Sequence, residues 1–238
     1  MEPEATIPKI IHFCWFGGKP KPPLIESCIT SWAKHLPDFS IKEWNESNYD
    51  VHAHPFTARM YKEKKWAFVS DYARLEILSK YGGIYLDTDM EILKDISPLL
   101  ETNLLLGEEK KGIISAGMVG ATPNHPYIEE CRRRYDTMDG TPPTIPLLIT
   151  GVYETMKKDL QNVKVCPPVA FYPYTQETIG TYSKETLSPE TYGVHLWNYS
   201  WGNPLLRLAN KFPLYHALKK VLTHLGIKKV IKKILRLS

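Results

Sequence analysis

The sequence lacks any apolar run approaching the roughly 18 residues that a membrane-spanning helix needs. It also lacks a low-complexity linker and an internal repeat, so nothing divides the body of the chain into several domains. The four cysteines, Cys14, Cys28, Cys131 and Cys166, never fall in a C-x-x-C spacing. That argues against a zinc module or a disulfide framework and for reduced thiols in a core. The opening Met1-Glu2-Pro3-Glu4 is acidic where a secretory leader is basic, so the expected compartment is the cytosol. After Glu190 there is no Asp or Glu, while nine of the 30 Lys and Arg residues lie there, leaving a mildly acidic body and a strongly basic end. The aromatic interleaving of a nucleic-acid binder is missing from that end, so no nucleic-acid partner is expected.

What is present fits one α/β domain in 238 residues, 43% of them apolar. Ile7 to Phe16 is an apolar, β-prone run that stops at Gly17-Gly18 and reads as a buried first strand. Leu24 to Leu36 has helical spacing, with Ile25, Cys28, Ile29 and Trp32 on one face, and Pro37 ends it. Ser40 to Trp44 reads as a second strand. Trp66 to Lys80 is again helical, with Gly82-Gly83 as a left-handed stop. Weaker signals place strands at Leu104 to Gly107 and Met118 to Ala121, and helices at Pro126 to Tyr135 and Leu147 to Lys158. Cys166 to Trp201 reads as mostly loop with short strands.

The chemistry concentrates in Tyr81-Gly82-Gly83-Ile84-Tyr85-Leu86-Asp87-Thr88-Asp89-Met90-Glu91. Directly after an apolar strand, alternation with a period of two puts Asp87 and Asp89 on the same side of the backbone. Two like charges so close repel unless a cation lies between them. A hard divalent ion completed by substrate phosphates resolves that conflict, and the carboxyl ends of strands in open α/β sheets are where ligands bind. A turn of ordinary acids explains the same residues, with Glu91 solvated. An EF-hand fails, because Ile92 and Pro98 occupy the positions that require Gly and Glu. A haloacid-dehalogenase-type phosphohydrolase, with Asp87 as nucleophile, stays as an alternative. Upstream, Asp71 and Arg74 share a helix face with Leu75 and Leu78, which fits either a structural ion pair or a pair that grips a polyhydroxyl ligand.

Three segments together, Ile7-Pro8-Lys9-Ile10-Ile11-His12-Phe13-Cys14-Trp15-Phe16-Gly17-Gly18, Ser70-Asp71-Tyr72-Ala73-Arg74-Leu75-Glu76-Ile77-Leu78 and Tyr81 to Asp89, resemble the D-x-D glycosyltransferases of family 32. The resemblance covers about the first half of the chain. It implies a GT-A fold over residues 1–203 and retaining transfer of a hexose from a nucleotide sugar, a UDP-sugar by preference. It further implies that Trp15 or Phe16 lies near the base and that Asp71 and Arg74 hold the donor sugar's hydroxyls. Asp87 would contact the ribose and the metal, and Asp89 would ligate a Mn²⁺ or Mg²⁺ ion directly. Thr150-Gly151 resembles the family's T-G segment near the donor or acceptor. His195-Leu196-Trp197-Asn198-Tyr199-Ser200-Trp201 looks like its late H-x-W-x-x-S-W, which would bring His195 to the metal and Ser200 and Trp201 to the diphosphate. Ala116-Gly117 stands where relatives carry Asn, which points to a different sugar contact and leaves room for a binding module without turnover.

Residues 204–238 form a basic amphipathic helical pattern, with Leu214, Leu218, Val221, Leu222 and Leu225 apolar and lysine pairs between the apolar positions. Such a segment suits an anionic membrane surface, so the stretch 212–238 is expected at the inner face of the membrane, where lipid-linked acceptors reside. Packing on the body, or on a partner helix, fits the same pattern.

Overall fold

The computed structural model describes residues 6–138 and 143–198. The expectations for Ser200, Trp201 and the 204–238 tail lie outside these residues. The described residues fall in two compact units, one of residues 6–138, 143–173 and 187–196, the other of residues 174–186 with 197 and 198.

The first unit opens as the apolar pattern predicts. Strand β1 (Ile10–Cys14) leads to helix α1 (Pro23–His35) and back to strand β2 (Ser40–Trp44), which pairs with β1 in parallel. Proline at the start of α1 fixes φ where the amide proton has no partner anyway. Helix α2 (Pro55–Lys62) follows, then helix α3 (Trp66–Tyr81), which is buried along most of its length by Val69, Ala73, Leu75, Ile77 and Leu78.

Helix α3 ends at Gly82, whose amide donates to the Leu78 carbonyl. Gly82 has φ 62° and ψ −156°, so the helix stops where predicted, but in the extended mirror region rather than in a left-handed helical turn. A Cβ on Gly82 would lie 2.6 Å from Pro123 Cδ, and one on Gly83 2.6 Å from the Ile10 carbonyl oxygen. Only glycine lets the helix turn straight into strand β3 (Gly83–Leu86), which is buried throughout.

After β3 come strand β4 (Met90–Ile92), the long hairpin of β5 (Leu104–Lys110) and β6 (Ile113–Ala121), helices α4 (Pro126–Asp136) and α5 (Ile145–Met156), strand β7 (Val163–Cys166), helix α6 (Pro168–Phe171) and strand β8 (Gly193–His195). The main sheet has the order β2-β1-β3-β6-β5-β7. β3 is parallel to β1 and antiparallel to β6, with Leu86 opposite Met118. β4 and β8 form a separate antiparallel pair. Sequence reasoning missed α2, β4 and β7 and drew β5 and β6 too short. All four cysteines are buried free thiols, and burial raises Cys14 to about 12. No helix among the described residues is long and apolar enough to cross a membrane.

In the second unit, two short 3-10 turns (Ile179–Thr181 and Lys184–Thr186) pack around Tyr174. Its hydroxyl lies 2.8 Å from Thr186 Oγ1, and its carbonyl accepts the Trp197 indole N–H at 2.9 Å. Trp197 takes φ 52°, unusual for a bulky residue.

His12 ties the sheet to the glycine turn. Its hydrogen bonds assign the neutral tautomer that donates from Nε2 to the Gly82 carbonyl at 3.0 Å and accepts the Trp44 indole N–H at Nδ1, 3.1 Å away. Burial lowers its pKa from 6.5 to about 4, with the Gly82 carbonyl opposing and nearby Lys42 adding to the fall. The unfolded chain therefore takes up this proton first as pH falls. The stability His12 contributes is whole above pH 6.5 and is lost as pH drops towards about 4, to the extent of about 2–3 kcal/mol. Denaturant titrations across that window should show this loss in the wild type and a shallower slope in His12→Gln. Equal slopes would rule His12 out as the source.

Candidate functional site

The acidic motif lies at the carboxyl edge of β3, but alternation along a strand does not align it. β3 stops at Leu86, and Asp87 to Met90 is a tight turn closed by the Met90 amide donating to the Asp87 carbonyl at 2.9 Å. The Asp87 amide donates to the Gly117 carbonyl at 2.8 Å, and the Asp89 carbonyl accepts the Leu196 amide at 2.9 Å. From α1, the buried Trp32 indole N–H donates to the Met90 carbonyl at 2.7 Å. The turn is thus pinned from three sides before any ligand is considered.

The β4–β8 pair supplies the third side chain. Met90 stands opposite His195, so the imidazole arrives one residue beyond Asp89. His195 Nε2 lies 3.2 Å from Asp89 Oδ1 and 3.9 Å from Asp87 Oδ2. Burial by itself would lower the His195 pKa. The carboxylates of Asp89 and Asp87 beside it, with Glu109 further off, outweigh burial and raise it. One ligand atom from each of Asp87, Asp89 and His195 lies within 4.8 Å of the others, and two carboxylate oxygens with one imidazole nitrogen make a donor set that suits Mn²⁺. The residues present fit a divalent ion. Glu91 stays outside this cluster, in the middle of β4 opposite Val194.

Arg74 joins the cluster to α3. It donates from Nη1 to Asp87 Oδ1 at 3.0 Å and to the Ala116 carbonyl at 2.8 Å, from Nη2 to Asp71 Oδ1 at 3.0 Å, and from Nε to the Ser70 carbonyl at 3.2 Å. The Tyr85 ring packs against the guanidinium, 4.3 Å from its centre. Arg74 is 5% exposed and Asp71 9%. One guanidinium shared by two carboxylates neutralises neither fully. Burial consequently pushes the Asp71 carboxyl up to about 7, with Arg74 opposing and Asp87 adding.

Other expected residues are placed less centrally. Trp15 follows β1, half-buried, with its indole N–H donating to the Lys19 carbonyl at 2.6 Å. Phe16 is buried against Tyr49. Both follow Cys14, which is close enough to Arg74 and Asp87 to feel their charges. Thr150 lies inside α5, where its Oγ1 accepts the Ile114 amide at 2.9 Å, a bond that ties α5 to β6.

Sequence reasoning missed Gly117, Tyr172 and Glu109. A Cβ on Gly117 would stand 2.8 Å from Asp87 Oδ2 and 3.0 Å from the Tyr172 hydroxyl. The Tyr172 ring packs 5.6 Å from that of His195. The glycine in the Ala116-Gly117 segment was visible, but the side chains it makes room for were not.

Residues 22–106 match a family model described as a glycosyltransferase sugar-binding region containing the DXD motif. Over these residues the chain is similar to the DXD glycosyltransferases. Among curated members of this kind, it is 31% identical over 151 residues to the lactosylceramide 4-alpha-galactosyltransferase of Pongo pygmaeus, across 55% of this chain and 66% of that one. It is also 31% identical over 157 residues to the human alpha-1,4-N-acetylglucosaminyltransferase, across 58% of this chain and 44% of that one. The chain therefore spans less than two thirds of the length of these relatives. Its GT-A-type fold matches that of the solved PaToxG glycosyltransferase with a TM-score of 0.51 at 19% identity, over 66% of this chain and 71% of that one. This likeness counts against the phosphohydrolase alternative, and Asp87, with one oxygen held by Arg74, is not arranged as a free nucleophile.

Gly117→Ala should drive the Asp87 carboxylate out of the cluster. Mn²⁺ affinity by calorimetry is expected to fall about tenfold or more, as for other disturbances of groups that orient metal ligands, while the thermal midpoint moves little. Unchanged affinity would show that the position of Asp87 is not critical for the ion.

Proposed function

We propose that the chain is a retaining, metal-dependent glycosyltransferase that moves a hexose from a nucleotide sugar, a UDP-sugar by preference, to a glycan or lipid-linked acceptor in polysaccharide biosynthesis. The observation that carries this reading is the meeting of Asp87, Asp89 and His195 beside the buried Asp71–Arg74 pair. In this reading Asp87, Asp89 and His195 hold Mn²⁺ or Mg²⁺. The bound ion would supply Lewis-acid stabilisation of the leaving diphosphate.

Asp71 and Arg74 then present an acceptor and a donor, held rigid by their neighbours, to the hydroxyls of the donor sugar. Trp15 and Phe16, directly after β1, would border the base, and Ser200 and Trp201 would close over the diphosphate. The acceptor hydroxyl attacks the anomeric carbon on the face from which the diphosphate leaves, and its proton passes to the departing phosphate oxygen. The new C–O bond forms as the old one breaks, and the anomeric configuration is kept. Both relatives above are named for alpha linkages, which supports retention if the donor is an α-linked nucleotide sugar.

A screen of UDP- and GDP-sugars with Mn²⁺, scored for slow donor hydrolysis, needs no knowledge of the acceptor. Hydrolysis should appear with one donor class, stop with EDTA, and fall at least about a hundredfold in Asp89→Ala with the fold intact. Activity indifferent to EDTA and to this substitution would sink the metal-dependent reading. Donor binding without any turnover would favour the other possibility, a module that holds a nucleotide sugar.

We further assign the basic stretch 212–238 to the anionic inner face of the membrane, on the strength of its lysine pairs and its lack of acids. The whole chain should float with anionic liposomes, and a chain ending at residue 211 should not. Equal flotation of the two would refute a membrane role for the segment.

A further inference from the structure

The β5–β6 hairpin runs beyond the strand edge that carries the acidic turn. Leu86, the last residue of β3, stands opposite Met118. The β6 residues before Met118, and the β5 residues that face them, therefore extend past β3 alongside Asp87. One face of this extension looks at the cluster. A Cβ at Gly117 would point at Asp87 Oδ2 and the Tyr172 hydroxyl, and Ser115 lies beside it, its Oγ accepting the Gly117 amide at 3.3 Å. Gly107 stands opposite Ser115, and a Cβ there would meet the Tyr172 ring at 3.2 Å.

The ladder slips first between Leu106 and Gly107, where Ala116 to Met118 are passed over, and again just beyond Gly107. Glu108 opposes Ile114 and Lys110 opposes Ile113, so Glu109 is the extra, unpaired residue of a β-bulge. Bulges re-aim side chains and are common beside active sites. The side chain at this bulge is a half-buried carboxylate whose charge acts on both His195 and Tyr172. Among the described residues it has no hydrogen-bond or ion-pair partner. Burial raises its pKa, against the pull of His195 and Lys110. A half-buried carboxylate of this kind gains from a donor that a ligand brings.

Its position says which ligand. Arg74 and Asp71 approach Asp87 at Oδ1, whereas His195, Gly117 and Tyr172 gather on the Oδ2 side. Glu109 acts on this second side, away from the pair assigned to the donor sugar. We propose that Glu109 is an acceptor-binding residue: it accepts a hydrogen bond from one hydroxyl of a pyranose-bearing acceptor, and so turns a neighbouring hydroxyl towards the anomeric carbon. The assignment rests on the glycosyltransferase reading above.

The test uses the full chain as wild type, Glu109→Gln and Glu109→Ala, with Mn²⁺ and the nucleotide sugar that the donor screen identifies. Lactose, maltose, cellobiose and methyl hexosides serve as acceptor probes, and both transfer to sugar and loss of donor to water are measured. The ratio of transfer to hydrolysis should fall about tenfold or more in Glu109→Ala, with a raised KM for the sugar and Glu109→Gln in between. Mn²⁺ affinity should stay within about twofold of wild type, since the carboxylate lies outside the ligand set. Parallel losses of transfer, hydrolysis and Mn²⁺ binding would overturn the proposal, because Glu109 would then serve the ion or the fold. An unchanged ratio would overturn it too, as would a wild type that none of these sugars diverts from hydrolysis. A wild type that hydrolyses no nucleotide sugar would instead defeat the parent reading.

Discussion

One guanidinium answers two carboxylates, and much of the site depends on it. Arg74 is nearly dry, and a buried cation is tolerable only when its donors are matched. They are matched by Asp71 and Ser70 on its own helix, by Asp87 on the turn after β3, and by the Ala116 carbonyl on β6. A single side chain thereby sets the distance between helix, turn and strand. Asp87 becomes the pivot: Oδ1 is held by Arg74 while Oδ2 faces His195, so the Asp71–Arg74 pair and the Asp89–His195 pair are mechanically joined.

The electrostatics of the two halves differ in kind. Around Arg74, negative charge exceeds positive in a nearly dry space, and burial decides the balance by lifting Asp71. Around His195, burial loses to the neighbouring carboxylates, which draw positive charge onto the imidazole. The same pull acts on any divalent ion entering the cluster, which is why the donor set and the field there agree.

The opening β-α-β unit and α3 were legible because their signals are local. Ile10 to Phe13, the apolar face of α1 and the glycines after Tyr81 each announce themselves within a few residues. Strands β4 and β8 have three residues each, too few for any period, and exist because they find each other. Helix α2 is capped by His54 rather than by one of the residues that usually mark a helix start. At the site, the identity of the two aspartates was readable, but the reason they converge was not, since a turn does what strand alternation was expected to do. His195 came into view only through resemblance to a family. Gly117, Tyr172 and Glu109 depend on cross-strand register and on one bulge, neither of which leaves a mark in the linear pattern.

The pairing of Met90 with His195 also has a meaning in time. The DXD turn is complete once β3 and β6 have met, yet its imidazole belongs to the last strand described. Contacts so distant in sequence form late, because the intervening chain must first give up its freedom. During synthesis the ribosome will have delivered both aspartates, their arginine and most of the sheet well before His195 emerges. A chain interrupted anywhere between would carry the motif without the imidazole that completes the cluster. Assembly of these three side chains thus works as a record that synthesis has passed residue 195 and that β8 has paired with β4.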